Sequence, residues 1–307
     1  MALEISRWQS GDGLALEILV WKSGDGPALE ILSWKSGDGL ALEISSWKSS
    51  DRPALEILLW KGRAHEEIKM SMEAPRVAVV SGGGSGLGRE IALELARRGY
   101  GLALLGRRLE PLQETLDLVG QGKAGLLLPC DVRDAVALGR AAEEIQARWG
   151  AADLVVPAAG VTSIAPVEET SPDDFAAIVD TNLTGVFLLI RALLPAMKAR
   201  GRGRILAILS VAARRGFSGW SAYCASKWGL AGLVAALREE LQGTGVLISA
   251  LYPGATDTPI WDRLPGEWNR AAMVPPREVA RALGYILDAD PATLVEEVHL
   301  GPAGGAL

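Results

Sequence analysis

Residues 76–99 read RVAVVSGGGSGLGREIALELARRG. A short apolar run leads into a turn carrying Gly82, Gly86 and Gly88, and an amphipathic helical stretch follows at once. Glycines at a strand-to-helix turn let backbone approach a pyrophosphate, and the helix N-terminus adds free amides and the favourable end of its dipole. A glycine-rich turn can also serve packing alone. Its position after a first strand and before a helix is what points to a dinucleotide.

Working outward, short apolar runs alternate with longer amphipathic segments from residue 75 to the end. RVAVVSG, GLALLG, AGLLLPC, ADLVVPA, GRILAILS, GVLISALYP and VEEVHL read as strands, with helical stretches starting near Gly86, Leu109, Asp134, Pro172, Ala222 and Arg277. This alternation predicts an α/β fold: a doubly wound parallel sheet, or Rossmann fold, of about seven strands with helices on both faces.

The 307 residues are 49% hydrophobic and 22% charged, enough to bury a sizeable core. A net charge of −6 with no dense basic cluster argues against nucleic acid or an anionic membrane as partner. No apolar run is read as reaching the ~18–20 residues of a membrane span, and the N-terminus lacks a basic-then-apolar leader. A cytoplasmic location follows as the expectation. Two cysteines, Cys130 and Cys224, are too few for a disulfide framework or a zinc site, so both are expected reduced and no metal is expected. The two histidines, His65 and His299, read as surface residues and leave a Ser-His-Asp hydrolase few choices of base.

Residues 2–61 differ in kind, repeating with a period of thirteen: ALEISRWQSGDGL, ALEILVWKSGDGP, ALEILSWKSGDGL, ALEISSWKSSDRP, ALEILLWKG. Trp8, Trp21, Trp34, Trp47 and Trp60 mark the units, which ask to be read as an array. As strands, Leu16, Ile18 and Val20 face one way and Glu17, Leu19 and Trp21 the other, and five units make a meander. Short helices, marginal at this length, and an appendage without a settled fold are the other two readings. The domain division expected is a repeat extension over 1–71 and a dinucleotide domain over 72–307.

A second motif lies in SAYCASKWGLAGL, residues 221–233, where Tyr223 precedes Lys227 by four residues and shares its helix face. A cation within about 4–6 Å favours the phenolate of a tyrosine that otherwise titrates near 10, which makes a better acid at neutral pH. A packed Tyr beside a solvated Lys is the alternative that such spacing alone allows. After the second strand the chain reads LLGRRLEPL, with Gly106 where an acid binds the ribose 2′-hydroxyl of NAD. Arg107 and Arg108 follow, and two guanidinium groups suit a 2′-phosphate. NADP is therefore expected, with NAD as the second possibility.

Taken together, the glycine turn, the YxxxK pair and the layout resemble the short-chain dehydrogenase/reductase family from about residue 75 to the end. The family's glycine signature is carried by Ser81, Gly82, Ser85, Gly86, Leu87 and Gly88, its adenine-side pair by Asp131 and Val132, and its helical asparagine by Asn182 in DTNLTG. Ser210 matches its serine, Tyr223 and Lys227 its tyrosine and lysine, and Pro253, Gly254 and Thr258 its loop after the sixth strand. One segment departs: where the family commonly shows Asn-Asn-Ala-Gly, this chain has Pro157 and Ala158 before the retained Ala159 and Gly160. The change removes amides that brace the sheet near a nicotinamide.

The resemblance implies an oxidoreductase that moves a hydride reversibly between a nicotinamide cofactor and a carbonyl or secondary alcohol. In that scheme Tyr223 is the acid, Lys227 lowers its pKa and binds the nicotinamide ribose, Ser210 hydrogen-bonds the substrate oxygen, and Asn182 holds a proton-passing water. It also implies a homodimer or homotetramer. Substrate choice is expected in TDTPIWDRLPGEWNRAAMVPP, residues 256–276, long enough to be a lid. Trp220, Trp261 and Trp268 are candidates to line an apolar pocket for a small molecule whose identity the sequence does not choose. Two other readings stand beside this one: a non-catalytic NADP-binding module, and an interaction protein acting through the repeat.

Overall fold

The computed structural model describes residues 76–120, 125–290 and 292–305, preceded by short strand segments between Leu3 and Met70. The chain divides into two compact units, Met1–Ala74 and Pro75–Leu307. In the first, Leu40–Ile44, Leu55–Lys61 and Ala64–Met70 pair antiparallel in that order. Most of the repeat's turns and the expected boundary at 71 lie outside the described residues, and with them the choice among the three readings of the array.

The second unit alternates strand and helix: β1 (Val77–Ser81), α1 (Gly86–Arg97), β2 (Gly101–Gly106), α2 (Leu109–Val119), β3 (Gly125–Pro129), α3 (Ala135–Trp149) and β4 (Leu154–Pro157). The second half contains α4 (Pro172–Val179), α5 (Gly185–Arg200), β5 (Gly203–Ile208), α6 (Ser221–Glu240), β6 (Val246–Pro253), α7 (Pro276–Asp288) and β7 (Glu297–Leu300). All strands pair parallel in the order β3-β2-β1-β4-β5-β6-β7. Each of the seven apolar runs read from the sequence is one of these strands.

Alternation within β1 shows why the sheet needs helices on both sides. Val77 and Val79 pack with Ile145 of α3, Leu193 of α5 and Leu230 of α6, whereas Ala78 and Val80 pack with Ile91 of α1, Leu112 of α2 and Leu283 of α7. A strand buried on both faces must read as an unbroken apolar run, as VAVV does. The winding reverses between β1 and β4, and the crevice outside the carboxyl ends of these strands is where such sheets bind ligands.

Local signals set the helix ends. The Asp134 carboxylate accepts from the amides of Val136 and Ala137 at 2.9 and 3.0 Å, capping α3. Ser171 caps α4 ahead of Pro172. Between α4 and α5 the helix does not stop: Asp180–Thr184 forms one π-helical turn, so Pro172–Arg200 is a continuous 29-residue run. By length and composition that run could cross a membrane, which corrects the expectation that no segment is long and apolar enough. Val186, Leu189, Ile190, Leu193 and Met197 of α5 are instead buried against the sheet.

Candidate functional site

A cavity of about 890 Å³ opens along the carboxyl ends of the strands, within the range of about 300–1,000 Å³ common for ligand pockets. Its floor is the turn between β1 and α1. Gly82 has φ +69°, and a Cβ there would lie 2.9 Å from the backbone N and Cα of Ala159. Gly88 is tighter, since a Cβ would meet the Gly82 carbonyl at 2.2 Å. Backbone from the β1 and β4 ends and the start of α1 can converge only because no side chain stands between them. Ser85 occupies the N-cap of α1 without a side-chain cap bond, leaving first-turn amides for an anion.

The loop is buttressed by Arg89, which sequence reading missed. Its guanidinium donates to the Gly84 carbonyl at 2.5 Å, to Thr115 Oγ1 at 3.0 Å and to the Glu114 carboxylate at 2.7 Å, tying the turn to α2. An arginine in a first helical turn looks like surface charge; the signal lay in its pairing with a segment 25 residues away.

At one end of the cavity Arg107 and Arg108 line the wall, both exposed and without an ion-pair partner among the described residues. Asp131 and Val132 line the same end. The Asp131 carboxylate is held by Arg133 at 2.7–3.1 Å, and that hydrogen bond keeps its pKa below the usual value. Arg133 is thus a third guanidinium on this wall, also absent from the sequence reading. Cys130 lies beside them; burial pushes its thiol up to about 11, and it is unpaired.

The other end holds Ser210, Tyr223 and Lys227, all on the cavity wall. Ser210 follows β5 and accepts from the Ala212 amide at 3.1 Å, fixing its rotamer. Tyr223 and Lys227 share a face of α6, with the Lys227 Nζ 5.7 Å from the phenol ring centre. That ammonium is buried and donates to the Ile208 carbonyl at 2.9 Å. Burial pushes Lys227 down to about 8. The phenol moves up, because burial outweighs the Ser210 hydroxyl pulling the other way. The sequence expectation that the lysine lowers the phenol is therefore corrected: desolvation dominates both groups, and the cation is turned toward a backbone carbonyl.

Asn182 and Ser81 sit behind the wall, buried. Asn182 lies in the π-turn; its Oδ1 accepts from the Val161 amide at 2.9 Å, and its Nδ2 donates to the Val161 carbonyl at 2.9 Å and to Ser226 Oγ at 3.1 Å. Ser226, missed in the sequence, in turn donates to the Tyr223 carbonyl at 2.7 Å. Both amide protons of Asn182 are spent in this chain, so a water could reach its side chain only at Oδ1.

The Pro157-Ala158 departure has a structural answer. Pro157 extends the β1–β4 ladder opposite Ser81, while pairing of β4 with β5 ends at Val155. Proline has no N–H to give the ladder. The following loop, with Ala159 and Gly160 on the cavity wall, is held from both sides: Ser81 Oγ accepts from the Ala159 amide at 3.2 Å, and Asn182 clasps Val161. Those bonds brace the segment without the two amides.

Leu87, Gly86, Pro253, Gly254 and Thr258 also line the cavity. Residues 256–276 fold into two short 3-10 turns, Pro259–Arg263 and Arg270–Ala272, closed by pairing of Thr256 with Val274. Arg270 clamps this strap through Asp257, Asp262 at 2.7 Å and the Thr258 carbonyl at 2.9 Å. His299 lines the cavity from β7, stacked on Tyr252 at 4.4 Å and beside Glu297. Among the described residues no cluster of His, Cys, Asp and Glu could hold a metal. The glycine cradle, the free amides and the arginines at one end fit an elongated anionic cofactor such as a dinucleotide.

Comparison with known proteins agrees. The short chain dehydrogenase family model matches residues 76–267. A 2-dehydro-3-deoxy-L-rhamnonate dehydrogenase (NAD(+)) of Sphingomonas sp. is 38% identical over 196 residues, covering 62% of this chain and 76% of that one. A sepiapterin reductase of Chlorobaculum tepidum is 32% identical over 237 residues, covering 75% and 97%. Among solved structures, an alcohol dehydrogenase from the archaeon Thermococcus sibiricus complexed with 5-hydroxy-NADP superposes with a TM-score of 0.69 at 30% identity, covering 74% of this chain and 97% of that one.

Proposed function

This chain belongs to the short-chain dehydrogenase family, and from that premise we propose that it moves a hydride between NADP(H) and the carbonyl or secondary-alcohol carbon of a small molecule, with Tyr223 as the acid and base. The observation that carries the reading is the convergence of Ser210, Tyr223 and Lys227 on one end of a cavity whose other end is the glycine turn and the arginines.

In reduction the substrate oxygen lies against Ser210 and Tyr223, which donate hydrogen bonds as charge develops on it. Tyr223 gives up its proton, and a phenol held protonated by burial is loaded for that step at neutral pH. Lys227, with a pKa of about 8, is mostly cationic at pH 7 and supports the phenolate left behind. Asn182 and Ser226 fix the first turn of α6 and the loop at Val161, so the acid and the wall opposite keep their spacing.

Cofactor choice follows from charge. The relative from Sphingomonas is named for NAD(+), and the archaeal structure holds an NADP derivative. Here Gly106, Arg107 and Arg108 end β2 with guanidinium groups and no carboxylate, which favours the 2′-phosphate. The test is consumption of NADPH and of NADH over a panel of aldehydes and ketones, using the full chain and a chain starting at Met72. Turnover by both forms with NADPH preferred is expected. NADPH binding without turnover of any carbonyl would support the non-catalytic module, and activity only in the full chain would make the repeat part of the site.

A further inference from the structure

Beyond the polar groups, the substrate end of the cavity is built from a row of rings. Tyr223 meets Trp220 edge-on at 5.6 Å, Trp220 meets Trp261 edge-on at 5.9 Å, and Trp261 meets Trp268 tilted at 4.7 Å. All four line the cavity. The row begins at the phenol itself, so a molecule with its oxygen on Tyr223 and Ser210 has its neighbouring substituent beside indoles. Trp261 is also fixed in place. Trp261 donates its indole N–H to the Thr256 carbonyl at 2.8 Å, and the strap carrying Trp261 and Trp268 is clamped by Arg270. A rigid wall selects shape more sharply than one that repacks.

We infer that the substrate is a ketone conjugated to a flat, fused aromatic ring, and that Trp261 is the residue that sets this preference. The inference rests on the reductase reading above and names its substrate class. A saturated ring of the same size fills the same volume and removes similar apolar area from water. It lacks the positive edge and negative face that make aromatic pairs favourable in tilted and edge-on geometries. The reaction adds hydride to the carbonyl carbon and a proton from Tyr223 to the oxygen, giving a benzylic alcohol. Conjugation makes an aryl ketone intrinsically harder to reduce than a saturated one. A preference for it must therefore come from the wall.

The experiment measures kcat/KM of the full chain with NADPH for 1-tetralone, 1-decalone and cyclohexanone. Expected is at least a tenfold advantage of 1-tetralone over 1-decalone, equivalent to about 1.4 kcal/mol and within reach of two aromatic contacts. In Trp261→Leu the ratio should fall below threefold. Equal or better use of 1-decalone by the wild type overturns the inference whatever the variant does. An unchanged ratio in a folded Trp261→Leu protein overturns the assignment to Trp261. No NADPH consumption with these ketones or with any aldehyde or ketone of the wider panel fails the reductase reading itself, a result distinct from turnover without aromatic preference.

Discussion

The two ends of the cavity are built in opposite ways. At the tyrosine end, Asn182, Ser226 and Lys227 are buried; Asn182 and Ser226 bond each other and nearby backbone, and Lys227 donates to the Ile208 carbonyl. At the arginine end, Arg107 and Arg108 stand exposed with no hydrogen-bond or ion-pair partner among the described residues. A buried polar network cannot change one member without stranding another, whereas exposed charges act singly and through solvent screening. On the proposed reading, the chemistry then rests on geometry and the cofactor preference on replaceable charge.

The strongest attempt to break that contrast is Tyr223→Phe. The ring stays beside Trp220, so NADPH binding should hold within about threefold while turnover falls by about 10²–10⁴-fold, the usual contribution of a general acid. Retention of a third of wild-type turnover would move the acid elsewhere.

Next is Ser226→Ala, which removes the acceptor of one Asn182 amide proton and leaves that donor buried. The expected loss is about 1–3 kcal/mol of stability, read as a lower denaturant midpoint at unchanged slope. A variant as stable as wild type would mean the network is not tight.

Arg107→Asp with Arg108→Ile addresses the exposed end. Charge-assisted hydrogen bonds contribute about 1.5–3 kcal/mol each, less where solvent screens them, so at least about tenfold should be lost in NADPH affinity. The ratio of kcat/KM for the two cofactors at fixed ionic strength is the measure. A wild type that already prefers NADH, or a ratio that does not move, would reduce both arginines to surface charge.

The smallest effect is in pH. Burial holds Lys227 near 8, below its ordinary 10.5, so its cation is present below pH 8 and is lost as pH rises through that value. Reductive kcat/KM should be flat near pH 7 and down about twofold at pH 8. The same shift makes the folded state gain stability between about pH 8 and 10.5, where the unfolded chain still carries the proton. A reductive profile flat to pH 10 would show that the charge on Lys227 is not needed.

Legibility in the sequence followed the same division. Strands buried on both faces announce themselves as apolar runs, and glycines at forced turns have no substitute, so the strands and the phosphate turn could be read directly. Arg107 and Arg108 were legible because a missing acid at Gly106 is itself a signal. Arg89 and Ser226 were not, since their partners are set by tertiary placement: Ser226 lies 44 residues from Asn182. Arg133 pairs locally with Asp131, and only the fold places that pair on the cavity wall. The direction of the Tyr223 shift was misjudged for the same reason. Spacing reports which groups are neighbours, and only burial decides which effect wins. The π-turn left no mark of its own either: DTNLT is poor in helix formers, which in a sequence looks the same as a break between two helices.

That turn has a consequence at the level of the gene. A π-turn holds one more residue than the α-helix around it, and here the surplus is what brings Asn182 round to Val161 and Ser226. Loss of a single codon between Asp180 and Thr184 would leave an unbroken α-helix with better local geometry. It would also rotate Pro172–Val179 by about 100° against α5, one residue's step, and carry the carboxamide off its partners. Such an allele should encode a protein that still collapses around the same sheet and has lost the clasp on the loop at Val161 while keeping every side chain that made it.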